Sequence, residues 1–141
     1  MHTTSAQRAR QWRGIAASDP LGLVIMLHDG AVEQLQRARG LQAPEQRAAR
    51  TQLITNVQCI LTELVCSLDA SEASGGESDP QLAASLAALY EHLHERLTVT
   101  ALADDQWALA EVADALEALG RAWRQAACGP RAEDKSPALL E

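Results

Sequence analysis

Apolar residues recur along this chain at intervals of three and four, most densely in LITNVQCILTELVCSL, from Leu53 to Leu68. Leu53, Val57, Ile60, Leu64 and Leu68 fall on one side of a helix, and Ile54, Leu61 and Val65 widen that stripe to roughly a third of the circumference or more. So wide a stripe predicts a helix packed against two or three others, and the remaining apolar segments supply those neighbours.

Ser18-Asp19-Pro20 is a helix start, because a Ser or Asp side chain can accept from the first free amides and proline suits the first turn. The helix it opens runs to about Arg39. It buries Leu23, Val24, Leu27, Ala31, Leu35 and Ala38, with Gly30 allowing close approach to a neighbour and Gly40 as the stop. Pro44 opens the second helix, which is polar for two turns and ends near Asp69. The run ASEASGGES then reads as an exposed loop. Asp79-Pro80 repeats the capped start for a third helix with Leu82, Leu86, Leu89, Leu93 and Leu97 on its face, flanked by Ala83, Ala87 and Tyr90. Asp104 or Asp105 caps a fourth, carrying Leu109, Val112, Leu116, Leu119 and Trp123, which Gly129-Pro130 ends.

Helices of this length with short connections predict an all-α fold, an antiparallel up-down four-helix bundle with a short N-terminal arm or cap helix. One domain spans residues 1–128, followed by a flexible tail at 129–141. Composition agrees: 141 residues suffice for one domain, and Ala and Leu dominate while aromatics make up 3%. In the arm, Arg8, Arg10 and Arg13 surround Trp12 and Ile15, and Trp12 either packs on the bundle end or covers a groove that a partner needs.

Charge narrows the functional classes. Residues 1–50 hold seven Arg against four acids, a net +3, whereas residues 51–141 hold five basic residues against fifteen acids, a net −10. An acidic chain with no concentrated basic face is poorly suited to gripping nucleic acid, where phosphate neutralisation supplies most of the affinity. No run reaches the length of a membrane span, and MHTTSAQRARQWRG has no secretory apolar core, so a cytoplasmic location without membrane insertion is expected. Cys59 and Cys66 lie seven apart on one helix, too far for a disulfide, and with Cys128 they read as free thiols. Both are expected in the core.

The motifs of common catalysis are missing from the sequence: it has no phosphate-binding glycine loop followed by Lys-Ser or Lys-Thr, no GxSxG turn and no HExxH pair. Glu91 and His94 make one Glu-x-x-His pair, where a di-iron bundle needs two, so the expectation is a non-enzyme without metal or cofactor. The rival is a metal or redox bundle built on Glu91, His94 and Cys59 or Cys66. Otherwise Glu91, His92, His94, Glu95 and Arg96 form a solvated face, and His28 is a half-buried helix residue.

Taken together, these residues resemble the flagellin-specific export chaperones (FliS) of bacterial flagellar secretion. The family shows a Ser-Pro start and a Met-Leu-Tyr-Asp-Gly-Ala core. This chain has Ser18-Asp19-Pro20 and then Met26-Leu27-His28-Asp29-Gly30-Ala31, with His28 at the usual aromatic position. Glu63-Leu64, Ser67-Leu68-Asp69, Gly75-Gly76-Glu77, Leu89-Tyr90 and Leu119-Gly120-Arg121-Ala122-Trp123 follow in family order across residues 15–125. Arg10 stands where a Tyr is common, and Ile15 fits an apolar position of the family.

The resemblance implies a cytoplasmic bundle that holds the aggregation-prone C-terminal segment of flagellin, prevents its premature polymerisation and aids its delivery to export-gate components. An adaptor for another secretion component is the alternative within the binding class. Trp12 and Ile15 are expected over an apolar groove to which Leu23, Met26, Leu27, Leu61, Val65 and Leu68 contribute. For Leu27, Leu61 and Leu68 a plain core role is an equal reading. A monomer or weak homodimer is expected.

Overall fold

The computed structural model describes the backbone of residues 20–73 and 80–140 and the side chains of residues 21–68 and 80–128. It comprises helices α1 (Pro20–Arg39), α2 (Arg47–Ala73), α3 (Pro80–Ala103) and α4 (Gln106–Leu140), with a 3-10 turn at Pro44–Gln46 leading into α2. No strand occurs among the described residues. Trp12, Ile15 and the Ser18-Asp19 cap lie outside them, as does most of the loop after Ala73.

Cross-helix contacts give the topology. Gln58 of α2 meets His94 and Thr98 of α3. Arg96 of α3 meets Glu111 of α4, and Tyr90 meets Trp123. Asp29 of α1 meets Arg124 of α4. Numbers run oppositely from Tyr90–Trp123 to Arg96–Glu111, from Arg50–Asp104 to Gln58–His94, and from Gly30–Ile60 to Leu41–Arg50, so successive helices are antiparallel and the bundle runs up and down. α1 packs against α2 and α4, and α2 against α3, while α3 and α4 approach each other least. The pairs α1/α3 and α2/α4 lie on the diagonals.

The core follows the apolar stripes. Leu23, Leu27, Ala31, Leu35 and Ala38 come from α1, and Ile54, Val57, Ile60, Leu61 and Leu64 from α2. Tyr90, Leu93 and Leu97 come from α3, and Leu109, Val112, Ala113 and Leu116 from α4. Burial at roughly 1.5–3 kcal/mol per large side chain makes this the main source of stability. A Cβ on Gly30 would meet Ile60 at 3.9 Å, an ordinary contact, so a small residue there is comfortable without being forced. Gly120 is tighter: a Cβ there would come within 3.4 Å of the His28 Cβ.

Turn chemistry closes the elements. Gly40 N–H donates to the Arg37 carbonyl at 3.1 Å as α1 ends. Gln46 Oε1 accepts from Ala43 N–H at 3.1 Å ahead of α2. Asp105 Oδ1 accepts from Ala108 N–H at 3.2 Å, the capping expected for α4. Its neighbour Asp104 takes a left-handed backbone (φ 55°), which Asp tolerates better than most residues.

Four expectations change. First, α3 is rotated: Leu82 and Leu89 are 57% and 36% exposed, and the buried line is Ala83, Tyr90, Leu93, Leu97 and Thr100. A large phenol whose hydroxyl needs buried partners sets that rotation. Second, Cys59 and Cys66 are exposed rather than core, because α2 has two helical neighbours and turns its third side to solvent. Third, His28 is wholly buried, not half-buried. Fourth, α4 continues through Gly129-Pro130 to Leu140. Passing a proline costs a helix one hydrogen bond and invites a bend, and the Arg, Ala, Glu, Lys and Leu among the residues that follow favour helix.

Candidate functional site

A polar strap joins α2 and α3. The Gln58 side-chain amide donates to the His94 carbonyl at 3.1 Å and to Thr98 Oγ1 at 2.8 Å, tying the two helices together. Beyond this strap, toward the α2–α3 connection, lies an open groove of about 470 Å³. Leu61, Val65 and Tyr90 give it an apolar floor. Thr62 and Cys66 form one wall, and Glu91, His94 and Glu95 the other.

Helical spacing explains the lining. Leu61 and Val65 are one turn apart on the α2 edge facing α3, as are Glu91 and Glu95 on the solvent edge of α3. The result is a greasy trough with an acidic rim. Such a trough accepts the apolar stripe of an amphipathic segment and favours basic residues along its margin.

The floor is braced from behind. Trp123 Nε1–H donates to the Tyr90 hydroxyl at 3.0 Å, and that hydroxyl lies 2.9 Å from His28 Nε2. His28 Nδ1 lies 2.8 Å from the Val24 carbonyl. A carbonyl only accepts, so Nδ1 carries the proton, Nε2 is the acceptor and Tyr90 O–H donates to it. One directional chain thus crosses the core from α4 through α3 to α1. Burial pushes the His28 pKa below its ordinary 6.5, against the opposite pull of the Val24 carbonyl and Asp29. Burial likewise raises the Tyr90 pKa above its ordinary 10.0, with the Trp123 N–H pulling it down.

A second hollow, of about 290 Å³, lies between α1 and α4. Val32 and Leu116 line it together with Asp29, Glu33, Glu117, Arg121 and Arg124. Asp29 pairs with Arg124 across its mouth and Glu117 with Arg121 along α4, so the hollow is rimmed by charge and suits an apolar guest less well.

The residues expected at a binding surface separate into groups. Leu23, Leu27 and Leu61 are buried, Leu61 also forming groove floor. Val65 and Leu68 are half-buried beside the core, and Met26 is 47% exposed. Val65 and Leu61 are thus brought together at the groove. Trp12 and Ile15 fall outside the described residues. Tyr90, Thr62, Cys66, Glu91, His94 and Glu95 escaped the sequence reading as groove residues. The one available signal was Tyr90, the sole tyrosine of the chain, standing in a helix face otherwise made of Leu and Ala.

Among the described residues, no helix is long and apolar enough to cross a membrane. Comparison with known proteins gives one family match: the family model of the flagellar protein FliS fits residues 3–130 of the chain. No curated protein matches it.

Proposed function

Because the chain belongs to the FliS family of flagellar proteins, a family of flagellar export chaperones, we propose that it holds the C-terminal segment of flagellin in the cytoplasm as an amphipathic helix laid in the α2–α3 groove. The observation that carries this reading is the groove between α2 and α3, in which half-buried Val65 lies beside the buried Leu61 and Tyr90 as an apolar floor. Val65 and Leu61 contact the guest's apolar stripe, and Glu91 and Glu95 face its flanking basic groups. Residues 1–16, with Trp12 and Ile15, cover the groove when no guest is present. The loaded complex then docks on export-gate components.

Magnitudes bound the affinity. Of the apolar floor only Val65 is more than marginally exposed, so few large guest side chains are buried there, at about 1.5–3 kcal/mol each. Ordering a flexible segment costs about 2–5 kcal/mol. This groove alone therefore gives weak binding, and a tight complex needs the client to continue over further exposed apolar positions such as Met26, Leu82 and Leu89.

The test is calorimetric binding of a flagellin C-terminal peptide to the full chain and to a chain lacking residues 1–16. Tighter binding to the shortened chain is expected. Equal affinities remove the covering role of the arm, and binding to neither chain removes the flagellin assignment. Val65→Glu, which puts a charge on the floor without emptying the core, is expected to weaken the peptide by about tenfold or more.

A further inference from the structure

The α2–α3 groove and the α1–α4 hollow open on different sides of the bundle, yet two hydrogen-bonded side chains separate them. Tyr90 forms floor in the first, and His28 lines the second. The ring of Tyr90 is packed in the core, and its hydroxyl is held as donor to His28 and acceptor from Trp123. A Cβ on Gly120 would come within 3.4 Å of the His28 Cβ, so the glycine lets α4 approach α1 closely at His28.

We infer that His28 is a positioning residue for the client groove: as a neutral acceptor it fixes Tyr90 in the floor, so that client affinity follows the ionisation state of His28. This rests on the reading of the groove as the client site. The chemistry is forced by donor counting. On protonation, His28 Nε2 becomes a donor and turns toward the Tyr90 oxygen, which already accepts from Trp123. The Tyr90 proton then has no acceptor in the core. An unsatisfied buried hydroxyl drives the ring to shift, and the groove that Tyr90 lines gives it space to do so.

The charged groups around His28 do not relieve this. On its own helix Asp29 is held by Arg124 of α4, and Glu33 lines the same hollow. From α4, Arg121 is paired with Glu117. From α3 the facing group is Tyr90 itself, whereas Glu91 and His94 face the groove. No titratable residue of α2 lines the hollow. The lowered pKa of His28 agrees with a site built for the neutral ring.

The experiment has two arms. Tyr90 is the sole tyrosine, so its ring resonances can be followed without ambiguity in the free, full-length protein labelled for NMR. Between about pH 8 and about pH 5 they are expected to move with the same midpoint as the His28 imidazole, and to stay still in a His28→Gln chain, where the amide oxygen accepts from Tyr90 but does not titrate. In the second arm, the flagellin C-terminal peptide is titrated into both chains at about pH 8 and about pH 5.5. Wild type is expected to lose affinity at the lower pH in proportion to the fraction of His28 that the NMR titration shows protonated, and His28→Gln to show no such loss, circular dichroism confirming that both remain helical.

Tyr90 resonances that ignore the His28 titration overturn the inference, as do equal losses of affinity in the two chains, which would place the effect away from His28. Peptide that binds neither chain at either pH, while the Tyr90 resonances follow His28, removes the flagellin reading and leaves the floor-positioning role standing. Should His28→Gln fail to fold, the wild-type NMR titration decides on its own, and Tyr90→Phe, which abolishes the link, is expected to flatten the pH dependence of binding.

Discussion

Two polar clusters hold the bundle together, and they use opposite chemistry. At one end, Arg50 is buried. It donates to the Leu41 carbonyl at 2.7 Å and to the Asp104 carboxylate, with Arg47 at 3.8 Å from the same carboxylate. That cluster ties the α1–α2 connection to the α3–α4 turn through a permanent charge whose partner is 45% exposed. Farther along, His28, Tyr90 and Trp123 tie α1, α3 and α4 through a neutral chain within the core. A guanidinium serves where water reaches the partner, since it stays charged and satisfies several acceptors at once. A neutral chain serves where water does not, because every donor there can be matched without burying charge.

The comparison breaks most visibly at Arg50. Arg50→Met leaves the Leu41 carbonyl and Asp104 without their donor and is expected to cost about 2–3 kcal/mol, lowering the melting temperature by about 10 °C in calorimetry. Tyr90→Phe keeps the ring but strands the Trp123 N–H. It is expected to cost about 1–2 kcal/mol in chemical denaturation, less than Arg50→Met because no charge loses its partner.

A smaller and sharper difference lies in pH dependence. The folded pKa of His28 is lowered from 6.5, so as pH falls the unfolded chain takes up the proton first. Stability is complete above that value and declines below it, by up to about 1.4 kcal/mol per pH unit, until the folded pKa is reached. Denaturant midpoints at about pH 8 and about pH 5.5 are expected to differ in wild type and in Arg50→Met, and to lose the His28 part of that difference in His28→Gln. The smallest effect belongs to the C-terminus. Both clusters lie between residues 28 and 123, so a chain ending at Cys128 is expected to match the full chain to within about 0.5 kcal/mol.

The candidate groove was only half legible in advance. Leu61 and Val65 stand out because an apolar stripe of period 3.6 names the side of α2 that must be covered. Tyr90, Glu91 and Glu95 did not, since which edge of α3 borders α2 depends on its rotation. The leucine pattern alone favours a face containing Leu82 and Leu89, and the hydrogen-bonding demands of Tyr90 overrule it. Arg50 passed unnoticed among seven arginines in the first 50 residues because nothing local distinguishes a cation that will meet Asp104, 54 positions away. The cysteines were misplaced for a related reason: small apolar side chains read as core unless the number of neighbours around α2 is known.

By itself the amino-acid order determined the helices, their starts at proline and aspartate, and the up-down bundle, because periodicity, capping and connection length act over a few residues at a time. The rotation of α3, the groove between α2 and α3 beyond Gln58, and the alignment of His28 with Tyr90 and Trp123 were decided only when four helices competed for one interior. Those features arise from volume and hydrogen-bond satisfaction among residues 33 to 62 positions apart, distances at which local sequence carries no information about contact.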